Sequence, residues 1–215
     1  GVHLYTATGV IFSFIAALAL LEMNARLFLV SLLLAVVVDA TDGMLARRFR
    51  VVEVLPKING RRMDDIIDYL TFVFLPCLGM VVFDVLLPPW RFMAVVPMVA
   101  SIFGFSQEGA KLDEAFLGFP SYWNVVFLYV YILPLSQSVV VGMLLILSIL
   151  VFVPIQYVYP TKTRWFRRTN LYVAWAYGAL IAVVCVFPES AWAEPLMWLS
   201  LVYPVFYTMM SFMLD

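Results

Sequence analysis

The stretch DATDGMLARRFRVVEVLPKINGRRMDDIID, from Asp39 to Asp68, decides the fold of this chain. It joins two apolar segments and carries aspartates on both sides of a strongly basic middle. Carboxylates at the ends of hydrophobic segments are costly unless something offsets their charge. The stretch therefore poses both the question of the fold and the question of the function.

The aspartates follow the period of a helix. Residues three, four or seven apart return to one helix face, so Asp39 and Asp42 form one acidic stripe and Asp64 and Asp68 form another. Two apolar helices joined by a short loop pack antiparallel, and we expect the two stripes to face each other. Asp65 lies about 100° from the second stripe and is expected to face solvent or another helix.

Composition places the whole chain in a membrane. Of its 215 residues, 65% are hydrophobic and only 13% are charged, with a mean hydropathy of +1.00. A soluble domain would carry about 25% charged residues. We expect an all-α integral membrane protein in which residues 1–215 form a single polytopic domain.

Apolar segments of about 20 residues are long enough to cross a bilayer. On that measure we predict about eight transmembrane helices, the first of them a membrane span and not a signal peptide. Their approximate ranges are 5–21, 27–46, 64–86, 91–107, 121–135, 138–155, 171–187 and 195–213.

The positive charges predict the orientation. Eleven of the 13 Lys and Arg residues fall in three loops on one side, and only Arg26 and Arg91 fall on the other. Basic loops stay in the cytoplasm, so both termini and the acidic stretch are expected on the cytoplasmic side.

The four stripe aspartates suggest a metal site. Ionised carboxylates that converge repel each other, and two divalent cations would neutralise the set. Oxygen ligands with no Cys or His nearby suit Mg²⁺ or Mn²⁺ rather than zinc. The plainer alternative is that these residues cap helices or solubilise the surface. Four carboxylates on matched stripes, with the small residues Gly43, Ala46 and Gly60 among them, favour the metal site.

The pattern D-x₂-D-G-x₂-A-R-x₁₂-G-x₃-D-x₃-D resembles the signature of the CDP-alcohol phosphatidyltransferases. Its positions here are Asp39, Asp42, Gly43, Ala46, Arg47, Gly60, Asp64 and Asp68. The gap of twelve residues between Arg47 and Gly60 exceeds the usual eight and is similar to that of the bacterial phosphatidylcholine synthases. The run GFPSYWN, at residues 118–124, resembles the same group.

The resemblance implies a helical membrane bundle that transfers a phosphatidyl group from CDP-diacylglycerol to choline and releases CMP. It implies two divalent ions, Mn²⁺ or Mg²⁺, held by Asp39, Asp42, Asp64 and Asp68. Asp68 would also be the general base for the choline hydroxyl. The CDP pocket would be shaped by Gly43, Ala46, Arg47 and Gly60. Membrane lipids are expected around the chain, a homodimer is expected, and nucleic acid is not.

Other residues are weaker candidates. A quaternary ammonium binds aromatic faces and carboxylates, which suggests Tyr69, Tyr122, Trp123 and Glu108 as choline contacts, although packing is the plainer explanation for each ring. Arg164, Arg167 and Arg168 indicate inward-facing topology and lipid contact, or a hold on the donor phosphates. His3 is interpreted as a satisfied or solvated side chain near the start of the sequence. Cys77 and Cys185 are interpreted as buried hydrophobes.

Two alternatives stay open. The same enzyme class could use another acceptor, namely serine, glycerol phosphate or inositol phosphate. An ion transporter would also place carboxylates in a membrane, but near its midplane and within internal repeats, neither of which the sequence shows. The resemblance implies a location in the bacterial inner membrane.

Overall fold

The computed structural model describes residues 1–49, 58–107, 115–158 and 167–213, with side chains through most of these ranges. Helices dominate. In chain order we number them α1 (Val2–Ala7), α2 (Gly9–Leu21), α3 (Ala25–Arg48), α4 (Gly60–Asp68), α5 (Leu75–Val82), α6 (Val95–Ser106), α7 (Trp123–Ile132), α8 (Gln137–Leu150), α9 (Arg167–Val186), α10 (Ala193–Ser200) and α11 (Val202–Met213). A π-helical segment, Tyr69–Phe74, joins α4 to α5, and a 3₁₀ turn, Trp90–Ala94, precedes α6.

Three continuous helical segments of the described chain, here called rods, are long and apolar enough to cross a membrane. The first rod is Val2–Leu21 (α1 and α2), the second is Ala25–Arg48 (α3), and the third is Gly60–Val82 (α4 to α5). The other apolar helices are shorter, at 10–17 described residues. They are Trp90–Ser106, Trp123–Ile132, Gln137–Leu150 and Tyr172–Val186. The helical membrane architecture is confirmed, and the figure of eight spans stays a prediction.

The first two rods pack closely because α2 presents small residues. Gly9, Ser13, Ala16 and Ala19 are all buried and recur every three or four positions. Small side chains at such spacing let neighbouring membrane helices approach each other. A Cβ atom at Gly9 would lie 2.6 Å from Cγ2 of Ile67, so the start of the first rod also lies against α4.

Aromatic rings fill the middle of the bundle. The rings of Phe28 and Phe127 meet edge to face, with their centroids 5.3 Å apart. A Cβ at Gly79 would lie 2.9 Å from Cε1 of Phe28 and 3.2 Å from Cε2 of Phe127. This glycine therefore lets α5 contact two aromatic side chains at once. Cys77 and Cys185 are buried and free, as predicted.

A short antiparallel ribbon accompanies the helices, and the sequence analysis missed it. β1 (Ala115–Leu117) pairs with β2 (Gln156–Val158), with Phe116 opposite Tyr157. Gly118 directly follows β1 with a φ of +80°, and a Cβ there would collide with the carbonyl oxygen of Val151. A side chain at this position would meet both strain and a backbone clash.

Several helix ends differ from those predicted. The third rod begins at Gly60 instead of residue 64, because the Asn59 side chain accepts a hydrogen bond from the backbone N–H of Arg62 at 3.1 Å and caps the helix. The fifth predicted helix, 121–135, corresponds to α7, which is shorter. It begins at Trp123, two residues after Ser121, whose φ is positive.

Candidate functional site

The acidic site forms where the last turns of α3 meet α4. Carboxylate oxygens of Asp39, Asp42 and Asp64 all lie within 4.8 Å of one another. Asp42 is only 7% exposed, whereas Asp39 and Asp64 are half-buried. The expectation that the stripes on the two helices face each other is confirmed for these three residues.

A second acidic group adjoins the first. Carboxylate oxygens of Asp64, Asp65 and Asp68 also lie within 4.8 Å of one another, and Asp68 is 9% exposed. Asp64 therefore belongs to both groups. The four aspartates predicted as ligands are divided between the two groups and linked by Asp64.

The position of Asp65 differs from the expectation that it faces away from the other acids, because its carboxylate lies with those of Asp64 and Asp68. Residues three apart on a helix are neighbours, so the Asp65 side chain can turn toward Asp68. The spacing of three residues between Asp65 and Asp68 already allows this approach, because a side chain can reach beyond the face on which its Cα lies. The structure adds Asp65 to the candidate site.

Both groups suit a hard divalent cation. They consist of carboxylates alone, and oxygen ligands are those that Mg²⁺, Mn²⁺ and Ca²⁺ prefer. Close carboxylates repel each other strongly where water is scarce, and a cation between them removes the repulsion. The described donor set thus fits a metal site.

The surroundings of the first group combine small residues with an arginine. A Cβ at Gly43 would lie 3.5 Å from Nη1 of Arg47, so the guanidinium folds back beside this glycine. Ala46 is half-buried and Arg47 is exposed. These three residues lie on the last two turns of α3, where an anionic ligand could approach from the aqueous side.

Gly60 lies against α1. A Cβ at Gly60 would lie 2.7 Å from Cε1 and 3.2 Å from Nδ1 of His3. The space left by this glycine is therefore filled by an imidazole ring. The Nε2 atom of His3 is buried and has no hydrogen-bonding partner among the residues that the structure describes. The interpretation of His3 as a satisfied or solvated side chain therefore fails at Nε2, while the side chain as a whole is half-buried.

A hydrogen bond holds α1 against α3. The Tyr5 hydroxyl lies 2.7 Å from Oγ1 of Thr41, which stands next to Asp42. Thr41 directs its own hydroxyl at backbone carbonyls, at 2.7 Å from that of Val37. Since a hydroxyl carries a single proton, Tyr5 donates to Thr41. The first helix is thereby attached beside both halves of the acidic site.

The helix geometry changes directly after Asp68. The π-helical segment begins at Tyr69, and single π turns inside helices are frequent at functional sites. The Tyr69 hydroxyl donates to the carbonyl oxygen of Met98 at 3.2 Å, and its ring meets that of Phe105 edge to face at 6.3 Å. The two rings line an open surface depression together with Arg62, Asp65 and Ser106 and the exposed side chains of Ile66 and Ile102.

The other predicted choline contacts lie elsewhere. Trp123 is fully buried, and its indole N–H donates to Oγ of Ser101 at 2.8 Å. Tyr122 is half-buried and packs against the ring of Phe72. Neither ring lines the open depression beside Asp65, so their role in choline binding stays a prediction.

Glu108 and the three candidate arginines fall in or beside ranges that the structure leaves undescribed. Glu108 and Arg164 lie outside the described residues. Arg167 and Arg168 begin α9, but only their backbone is described. β1 directly follows the second basic loop and β2 directly precedes the third, so their pairing brings the end of one loop next to the beginning of the other.

Comparisons with known proteins point to one family. A family model described as CDP-alcohol phosphatidyltransferase matches residues 3–155. The chain is 38% identical to a phosphatidylcholine synthase of Pseudomonas aeruginosa over 179 residues, which cover 82% of this chain and 75% of that protein.

Two further relatives carry the same name. A phosphatidylcholine synthase of Rhizobium johnstonii is 33% identical over 196 residues, covering 89% of this chain and 81% of its own length. One from Borreliella burgdorferi is 30% identical over 190 residues, covering 87% and 81%. The similarity thus extends over most of the chain, well beyond the acidic stretch.

Proposed function

The chain belongs to the CDP-alcohol phosphatidyltransferase family, and we propose that it transfers the phosphatidyl group of CDP-diacylglycerol to choline and releases CMP. The observation that carries the proposal is the pair of acidic groups joined at Asp64, on the two helices that hold the family's motif. The name shared by relatives across most of the chain supports choline as the acceptor.

The acidic groups would hold two divalent ions, Mn²⁺ or Mg²⁺. Asp39, Asp42 and Asp64 would hold one ion, and Asp64 and Asp68 the other, with Asp65 as a further ligand. Bound there, the ions would polarise the phosphoryl oxygens of the donor and stabilise the departing CMP.

Asp68 acts as the general base. In the transfer, the choline oxygen forms a bond to the phosphorus of the phosphatidyl group, and the bond from that phosphorus to CMP breaks. The choline hydroxyl proton passes to the Asp68 carboxylate. A buried position excludes competing water, and Asp68 is 9% exposed.

The open depression beside Asp65 suits the acceptor. Choline carries a quaternary ammonium that donates no hydrogen bonds, so aromatic faces and carboxylates recognise it. Tyr69 and Phe105 supply two rings, and Asp65 supplies a carboxylate next to that of Asp68. This arrangement supports Tyr69 as a choline contact and adds Phe105, which the sequence analysis did not name.

The donor lies toward the aqueous end of the two helices. Gly43, Ala46 and Arg47 border the path of its nucleotide, and the exposed Arg47 guanidinium offsets the diphosphate charge. The whole chain acts as one polytopic unit in the bacterial inner membrane, with the acidic groups and both termini on the cytoplasmic side. A homodimer is the expected assembly.

One assay tests the acceptor. Purified protein receives Mn²⁺ and CDP-diacylglycerol with choline, serine, glycerol phosphate or inositol phosphate in separate reactions, and CMP release is measured. We expect release with choline alone. Release with serine and none with choline would show that the acceptor is wrong, and absence of CMP with every acceptor would overturn the transferase proposal.

A further inference from the structure

The first helix brings an imidazole to the acidic site. His3 lies over Gly60, one helical turn before Asp64, with Cε1 at 2.7 Å from the position that a Cβ of this glycine would occupy. The Tyr5–Thr41 hydrogen bond attaches α1 to α3 at the same level. His3 is thus held close to the residues proposed to bind the donor.

The Nε2 atom of His3 needs a partner. It is buried and makes no hydrogen bond to any described residue. Buried polar atoms in native proteins are nearly always paired, and leaving one unpaired is costly. A ring nitrogen in this condition beside an acidic site indicates a polar group that arrives with a ligand.

We propose that Nε2 of His3 donates a hydrogen bond to an oxygen of the donor's cytidine diphosphate group. This inference rests on the proposed function and adds a residue that recognises the nucleotide. It also gives Gly60 a specific role, since only a residue without a side chain leaves room for the imidazole ring there.

The position of His3 favours the nucleotide over the other ligands of the site. Gly60 lies eight residues before Asp68, about 12 Å along the helix axis. The choline hydroxyl must reach Asp68, so the acceptor sits at the far end of this distance. A divalent ion coordinated by carboxylates has no need of a ring nitrogen, and His3 belongs to neither acidic group.

Binding of free CDP tests the proposal without the transfer reaction. The full chain in detergent, with Mn²⁺ present, is titrated with CDP in a calorimeter. We expect His3→Phe, which keeps a ring but loses the nitrogens, to weaken CDP binding about tenfold. His3→Gln, whose amide nitrogen can take the place of Nε2, should bind within about threefold of the unchanged protein.

Kinetics separate binding from packing. With CDP-diacylglycerol and choline as substrates, His3→Phe should raise the KM for CDP-diacylglycerol about tenfold and leave the KM for choline unchanged. If packing alone mattered, Phe would be tolerated and Gln would not. CDP binding by His3→Phe equal to that of the unchanged protein overturns the proposal. So does a loss in His3→Gln as large as that in His3→Phe.

The two proposals fail in different ways. Should the unchanged protein bind CDP in a His3-dependent manner but transfer to serine, the acceptor is wrong and the role of His3 stands. If transfer to choline is normal and His3→Phe does not change CDP binding, only the role of His3 is refuted. Where His3→Phe does not fold, His3→Gln and His3→Ala are compared, and equal CDP affinity of these two contradicts the hydrogen bond.

Discussion

The charged side chains at the two ends of the third rod have opposite surroundings: an exposed ion pair at one end and a cluster of carboxylates at the other. Just beyond its far end, Asp84 accepts a hydrogen bond from Arg91 at 2.9 Å, and both side chains are at least half exposed. At the near end, Asp64 lies in two groups of carboxylates whose oxygens approach within 4.8 Å. The two ends are about 34 Å apart along 23 helical residues.

The contrast shows which charges stabilise the fold and which serve chemistry. An exposed ion pair contributes little to stability and needs no ligand. Gathered carboxylates repel each other, and a chain under selection for stability alone would separate them. Their assembly around Asp64 is therefore the feature that indicates a bound cation.

The largest effect is expected from Asp68→Asn. The amide keeps the shape of the side chain but cannot accept the choline proton, so CMP release should fall by about a thousandfold or more. Asp84→Asn is the matched control at the other end of the rod and should keep normal activity. Near-normal CMP release by Asp68→Asn would remove the distinction between the two ends.

A smaller effect is expected from Gly60→Ala. The added methyl group would lie 2.7 Å from Cε1 of His3, so the ring must move away. We expect the KM for CDP-diacylglycerol to rise about tenfold, the loss of roughly one hydrogen bond. The control is Gly142→Ala in α8, where nothing lies within 4 Å of the new Cβ. Equal kinetics of the two alanine variants would show that the space at Gly60 does not matter.

The smallest effect is expected from Arg91→Ala. It removes the ion pair with Asp84, whose side chains are 50% and 58% exposed. Screening by solvent limits the loss of stability to about 1 kcal/mol or less, and CMP release should not change. Thermal unfolding in detergent measures the first quantity. A loss of activity without a loss of stability would mean that charges at this end also serve the reaction.

The sequence predicted the helical architecture and the acidic site for the same reason. Both depend on local periodicity, which places Asp39 and Asp42 on one face of α3 and fixes which segments are apolar. The cap at Asn59 was equally local, and its Asn-Gly pair could have moved the predicted start of the helix from residue 64 to Gly60.

Contacts between distant parts of the chain could not be predicted in this way. His3 meets Gly60 across 57 positions, and β1 meets β2 across about forty. Neither contact produces a periodic pattern, because each depends on how the rods pack. The burial of Trp123 has the same origin, since an aromatic residue at a helix start gives the same sequence pattern whether it faces the core or a ligand.

Binding of Mn²⁺ to the unchanged protein and to Asp64→Asn, followed by electron paramagnetic resonance, tests the central claim most directly. Because Asp64 belongs to both acidic groups, the account predicts that Asp64→Asn loses tight Mn²⁺ binding altogether, while Asp84→Asn binds as the unchanged protein does. Unaltered Mn²⁺ binding by Asp64→Asn, or no binding by the unchanged protein, would contradict the account.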